Sequence, residues 1–224
     1  MSAFQVPPSL IKLVTLLFNG VLTSLEIFFL TLLFSLPLGL LTALGRMSSQ
    51  KWVSYPIRLY ILIMRGTPLL LQLIFIYYFP FYLMPEGLKF RLPRFTAAII
   101  AFVVNYAAYF AEIYRGGIES IPIGQYEAAA VLGFTRTQTF FKIILPQVIK
   151  RILPPVSNEV ITLVKDTALV NILGVTELFR AAKNEANRTF STTPLFTAGL
   201  FYLFLNWIVT KVFEKAEKKL GYYR

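Results

Sequence analysis

The sequence predicts an all-α membrane protein with five spans. Three observations carry this. Hydrophobic residues make up 56% of the 224 residues and charged residues only 15%, where a soluble domain carries about 25% charged residues. The apolar residues gather into five long segments, each close to the roughly 20 residues a helix needs to cross a bilayer. The 22 basic residues, against 11 acidic ones, concentrate in alternate connections between those segments, as cytoplasmic loops do. This length holds one membrane domain, 1–224, without room for a separate catalytic domain.

The segments follow in order. The first covers about 16–44, ends at Gly45-Arg46, and contains Pro37, which is expected to bend it. The second, 56–83, carries Arg65-Gly66-Thr67-Pro68 in its first half. The third is 95–114, the fourth and most polar 152–173, and the fifth 195–212. The first eight residues lack the basic region of a cleaved signal peptide, so the first segment reads as a permanent span. Fourteen Lys and Arg fall on one side: Arg46, Lys51, Arg58 and Arg65, then Arg115, Arg136, Lys142, Lys150 and Arg151, then Lys211, Lys215, Lys218, Lys219 and Arg224. Seven fall on the other: Lys12, Lys89, Arg91, Arg94, Arg180, Lys183 and Arg188. The richer side is read as cytoplasm, with the N-terminus outside and the C-terminus inside.

Absences exclude function classes. Without Cys there is no disulfide, iron–sulfur cluster or thiolate nucleophile. Without His the commonest metal ligand and neutral-pH proton carrier is missing. Neither a catalytic residue nor a metal site is expected. No GxxxxGK[ST] occurs, so the chain holds no ATP in a P-loop of its own. The net charge of +11 is assigned to membrane-flanking loops rather than to nucleic acid.

The connection 115–151 is too long for a turn. Ser120-Ile121-Pro122 reads as a helix start, with Ser as cap and Pro in the first turn. A helix through Glu127-Ala128-Ala129-Ala130-Val131-Leu132 should stop at Gly133 in a left-handed conformation. Thr135-Arg136-Thr137-Gln138 reads as a capping box opening a second helix, which Pro146 should interrupt. The result is two short helices at an angle, a small-surfaced docking knob; the alternative is an amphipathic helix on the lipid surface.

Carboxylates inside a bilayer cost about 2.5–3.5 kcal/mol each on insertion scales, so they face cavities or partners. Asn19, Thr23 and Glu26 share one face of the first span, Asn105, Tyr109 and Glu112 one face of the third, and Glu159, Thr162 and Asp166 one face of the fourth. Three such stripes facing one another would line a polar path. Asn19 and Thr23 also suit plain interhelical hydrogen bonds. Glu112 is read as an ion pair with Arg115, Tyr109 as a possible packing residue, Arg65 as snorkelling to the interface, and Asp166 as pairing with a nearby base. Glu159 is the strongest candidate for substrate contact, since no basic residue stands three or four positions from it. Asn158, Thr162, Asn105, Tyr109, Thr67 and Asp166 join it as candidates, with Gln72 weaker.

Glu127-Ala128-Ala129, then Gly133, then Ile143-x-Leu145-Pro146 resembles the EAA loop of bacterial ABC importer permeases. Arg65-Gly66-Thr67-Pro68, the run from Ala111 to Ile118, Ser120-Ile121-Pro122, Gly124-Gln125 and Lys165-Asp166-Thr167 resemble the branch that carries polar amino acids: His, Arg, Lys, Gln, Glu and opines. The likeness covers about 19–224. It implies a type I importer transmembrane domain with five transmembrane helices and a cytoplasmic coupling helix, in a loop of about 116–150. It implies a bacterial inner-membrane permease dimer (homodimer preferred over heterodimer), two ATPase subunits that bind ATP and Mg, and an extracytoplasmic solute-binding protein. It assigns Glu127, Ala128, Ala129, Gly133, Leu145 and Pro146 to ATPase coupling. An excess of cavity carboxylates over bases favours a cationic amino acid. The rivals are a proton-coupled secondary carrier titrating Glu112, Glu159 or Asp166, which often shows inverted repeats that this sequence lacks, and an assembly subunit that carries no solute, against which the stripes speak.

Overall fold

Apolar runs of this length fold as helices because a bilayer offers no partner for open backbone groups. The computed structural model describes residues 8–220; residues 1–7 and 221–224, including the N-terminal segment and Arg224 of the charge count, lie outside the described residues. The helices are α1 (Pro8–Arg46), α2 (Lys51–Gly66), α3 (Leu69–Tyr82), α4 (Arg94–Glu119), α5 (Ile123–Val131), α6 (Arg136–Gln138), α7 (Leu145–Asp166), α8 (Leu178–Thr189) and α9 (Thr193–Leu220). Among the described residues three helices are long and apolar enough to cross a membrane: Ile11–Arg46, Arg94–Glu119 and Thr193–Leu220. The pair α2 and α3 qualifies as a fourth when taken together. The fourth expected span, on α7, does not meet that measure; Lys150, Arg151, Glu159, Lys165 and Asp166 keep it polar.

The second expected segment is not one helix. It breaks at Thr67-Pro68 with a bend of 114°. Pro68 lacks an amide hydrogen and forces its predecessor out of the helical region. Thr67 is accordingly extended, at φ −122° and ψ 149°. Pro37, by contrast, lies inside an unbroken α1. α4 runs five residues past the expected end at 114, to Glu119.

The chain divides into two compact units. Among the described residues the first contains 8–31, Leu69–Ala101 and Thr162–Ile208. Its core joins Leu17 and Val21 of α1, Leu178, Ala181 and Ala182 of α8, and Ala198 of α9. α8 falls outside the five expected segments. It buries Leu178, Ala181, Ala182 and Ala186, a helical spacing of small residues. Its first turn is capped by the buried Glu177, which accepts from the backbone N–H of Phe179 and Arg180 at 2.6 and 2.7 Å. Tyr202 Oη donates to the same carboxylate at 3.0 Å. Burial holds that carboxyl above the usual range despite these donors. Gly20 lets α1 meet this cap closely, since a Cβ there would stand 2.8 Å from Leu178 Cα. Gly20→Ala is therefore expected to force the two backbones apart and cost about 1–3 kcal/mol, read as a lower Tm in detergent; an unchanged Tm would show that α8 is free to shift.

Among the described residues the second unit contains Leu32–Pro68, Phe102–Ile161 and 209–220. Ala43, Ile61, Ala108 and Ala111 form one core, with Ile57, Tyr60, Met64 and Tyr114 packed against it. Alanines keep α1 and α4 close, and a Cβ on Gly39 would lie 2.8 Å from that of Phe110. Tyr60 Oη donates to the Val104 carbonyl at 2.5 Å, tying α2 to α4. A second core of Ile121, Ile144 and Val148 lies beneath α5.

Candidate functional site

The connection 115–151 forms a knob, although not with the expected start. Ser120 does not cap α5. Its hydroxyl donates to the Gly117 carbonyl at 2.7 Å and closes α4. Pro122, the residue before α5, offers no side-chain bond. The end of α5 is as expected. Gly133 has φ +78°, with Phe134 N–H donating to Ala129 O and Gly133 N–H to Ala130 O, each at 3.0 Å. These two bonds are a Schellman motif. The capping box is also present: Gln138 N–H donates to Thr135 Oγ1 at 3.3 Å and Thr135 N–H to Gln138 Oε1 at 2.9 Å.

Pro146 does not interrupt the second helix. A π turn over Thr139–Ile144 widens the ladder just before it, so the chain passes the missing donor and continues as α7. The second helix is therefore long, and the knob is α5 alone, clamped to the start of α7. Tyr126, Phe140 and Ile143 pack on the buried Ile121, Ile144 and Val148. Gln147 Nε2 donates to Gln125 Oε1 at 3.3 Å, and Arg151 donates to the Ser120 carbonyl. Of the motif residues, Ala129 is buried, Leu145 half-buried, and Glu127, Ala128, Gly133 and Pro146 exposed. Ile123, Val131 and Leu132 are 72%, 89% and 74% exposed. Neither Gly124 nor Gly133 would meet any atom within 4 Å through an added Cβ. A rigid helix showing bare backbone and apolar side chains together is a contact surface.

The α4 stripe is real, but its partner is the end of α2. Asn105 is buried and donates through Nδ2 to the Met64 carbonyl at 3.0 Å. The Tyr109 ring carries the Arg65 guanidinium at 5.3 Å. Thr67 Oγ1 donates to the Ile63 carbonyl at 2.8 Å, finishing α2. Glu112 forms the ion pair expected with Arg115, at 2.6 Å, and also draws in Arg46 at 3.7 Å and Arg65 at 3.8 Å. Arg65 thus does more than snorkel. A cavity of about 620 Å³ opens here, lined by Arg46, Arg58, Ile61, Leu62, Arg65, Gly66, Tyr109 and Glu112. Three arginines face one carboxylate, the reverse of the count behind the cationic preference.

The other stripes have different surroundings. Asn19 and Thr23 line a cavity of about 330 Å³ with Thr176, Asn184, Glu185 and Arg188, all in the first unit. Glu26 is exposed on α1. Within its own unit the α4 stripe meets the end of α2, and the α1 stripe shares its cavity with α8. On α7, Glu159 and Asp166 are half-buried while Asn158 and Thr162 are exposed. Gln72 is buried. In the sequence Arg46 and Arg58 stand only as loop charges; nothing local to either announces their convergence on Glu112 or its cavity.

Polar stripes on apolar helices, a broken hydrophobic segment and a clamped loop helix describe a membrane-embedded component. Residues 35–221 match the family described as binding-protein-dependent transport system inner membrane component, and the chain belongs to it. It is an ABC importer permease subunit, a multi-pass protein of the inner membrane whose family works with an ATPase and a binding protein. The octopine transport system permease protein OccM of Rhizobium radiobacter is 40% identical over 193 residues, 82% of this chain and 79% of that one. The L-cystine transport system permease protein TcyB of Bacillus subtilis is 36% identical over 210 residues, 93% and 88% of the two chains. A crystal structure of an amino acid ABC transporter with histidines matches with a TM-score of 0.84 at 34% identity, covering 96% of this chain and 100% of that one. The all-α architecture is that of a type I ABC importer transmembrane domain.

Proposed function

We propose that this subunit forms the path of an ATP-driven importer of polar amino acids and couples it to its ATPase through α5. The observation that carries the reading is the clamped knob. Glu127 and Ala128 stand outward on a helix whose end is locked by Gly133. Ala129, Leu145 and Pro146 serve as its packing base and its junction with α7. A push on α5 is then delivered to α7, because the apolar core beneath leaves little slack. Two ATPase copies bind the ATP and Mg, and this chain binds neither. A second permease copy, as a homodimer, covers exposed polar groups such as Glu26, which lipid would not solvate. An extracytoplasmic binding protein delivers the solute. The N-terminus lies outside and the C-terminus in the cytoplasm, in line with the loop charges.

Substrate contact falls to α7. Its exposed Asn158 and Thr162 and half-buried Glu159 and Asp166 give a membrane helix a polar face that a solute can meet. Glu159 takes the ammonium group. Asn105, Tyr109 and Thr67 fix the end of α2 and so shape the path from behind. The test is uptake by proteoliposomes holding the permease with the ATPase encoded beside it. Labelled amino acid should accumulate only with ATP on the ATPase side, and a protonophore should leave uptake unchanged. Uptake without the ATPase, abolished by a protonophore, would transfer the chain to the proton-coupled carriers.

A further inference from the structure

We propose that the cavity formed by the last turn of α1, α2 and α4 binds the phosphate of an anionic phospholipid. Arg46, Arg58 and Arg65 converge on it, and Glu112 is the one acid in its wall. That acid is already engaged. Arg115 holds it through Nε at 3.1 and 3.2 Å and through Nη2 at 2.6 Å. Arg46 and Arg65 stand at 3.7 and 3.8 Å from Glu112, too far for a hydrogen bond. Their guanidinium donors therefore keep capacity for a second anion. Arg58 makes no ion pair among the described residues and leans over the Tyr55 ring at 5.7 Å. Guanidinium forks suit phosphate oxygens in number and geometry.

The surroundings decide which phosphate. α2 carries Lys51, Arg58 and Arg65 and no acid. Trp52 and Tyr55 are exposed near its start, the residue types that settle at a membrane interface. Leu59, Leu62 and Ile63 are exposed on the same helix, and Leu62 also lines the cavity. Acyl chains would lie on these side chains while the headgroup meets the arginines. A free phosphate or a small solute has no use for that apolar surface. Basic cavities between membrane helices are the recognised form of headgroup sites.

The experiment uses the purified, delipidated permease–ATPase complex and short-chain phosphatidylglycerol or phosphatidylcholine, with bound lipid counted by native mass spectrometry and Tm measured alongside. Phosphatidylglycerol should bind and raise the Tm, with phosphatidylcholine far weaker and added salt reducing the difference. Arg58→Gln, which leaves the Glu112 cluster intact, should weaken phosphatidylglycerol roughly tenfold, the loss of one charge-assisted hydrogen bond. Equal binding of the two lipids, or unchanged binding in Arg58→Gln, overturns the proposal. So does displacement by inorganic phosphate at matched concentration, which makes the source free phosphate, or by an amino acid, which makes the cavity a solute site. No arm depends on transport, so the outcome is independent of the importer reading.

Discussion

Gly133→Val is expected to insert normally and to lose ATP-driven uptake. At φ +78° a β-branched residue is strained by about 1–3 kcal/mol, and α5 can relieve that only by unwinding the Schellman bonds to Ala129 and Ala130. No atom would lie within 4 Å of the new Cβ, so the membrane core is not disturbed. The side chain instead points into the exposed face proposed to meet the ATPase. Stimulated ATP hydrolysis and uptake should both fall at least roughly tenfold, the factor about 1.4 kcal/mol makes in an equilibrium. Gly133→Asn separates the two causes, because Asn tolerates the left-handed conformation. If the Gly133→Asn protein transports and the Gly133→Val protein does not, conformation matters; if both fail, the surface does. Wild-type uptake by a well-folded Gly133→Val protein would remove α5 from the coupling path.

Features set by a few neighbouring residues are legible in the sequence. The left-handed Gly133 and the capping box of Thr135 and Gln138 each depend on one turn of chain, and both are present. The break at Thr67-Pro68 is equally local: a proline penalises the helical state of its predecessor. It is masked because apolar residues continue on both sides, and hydropathy alone cannot distinguish a crossing from two helices meeting at 114°. Ser120 misleads for a related reason. It stands between the carbonyl end of α4 and the N–H end of α5, and its hydroxyl closes the former.

What stays hidden depends on residues far apart in the chain. Arg46 and Arg65 reach Glu112 across 66 and 47 positions, and periodicity says which face a residue takes, not what faces it. Spacing puts Asn105, Tyr109 and Glu112 on one face of α4 but does not announce the Met64 carbonyl and the Arg65 guanidinium that Asn105 and Tyr109 meet. Glu177 also reads as an ordinary loop residue in the sequence. It is buried because Leu178 and three alanines follow at helical spacing and draw the start of α8 inward. That signal is present, weakened by the low apolarity of a helix built mainly on alanine.

Glu159→Gln is expected to weaken amino acid binding by roughly ten- to a hundredfold while leaving the coupling machinery intact. The substitution keeps the side-chain shape and removes its charge. An amino acid presents an ammonium group, and a carboxylate in a partly dehydrated site holds it by a charge-assisted hydrogen bond. Such a bond contributes about 1.5–3 kcal/mol, which sets the expected loss. Asn158 and Thr162, exposed on the same helix, can supply neutral contacts and so leave residual binding. Basal ATP hydrolysis should persist, because α5 packs on Ile144 and Val148, more than two turns of helix from position 159. The measurement is equilibrium binding of labelled amino acid to the purified permease–ATPase complex without the binding protein, whose own site would mask the effect. A parallel fall for cationic and neutral amino acids would assign Glu159 to the shared α-ammonium; a fall confined to cationic ones would assign it to the side chain. Unchanged affinity for both would return Glu159 to a structural role, and the substrate path would have to be sought on another helix.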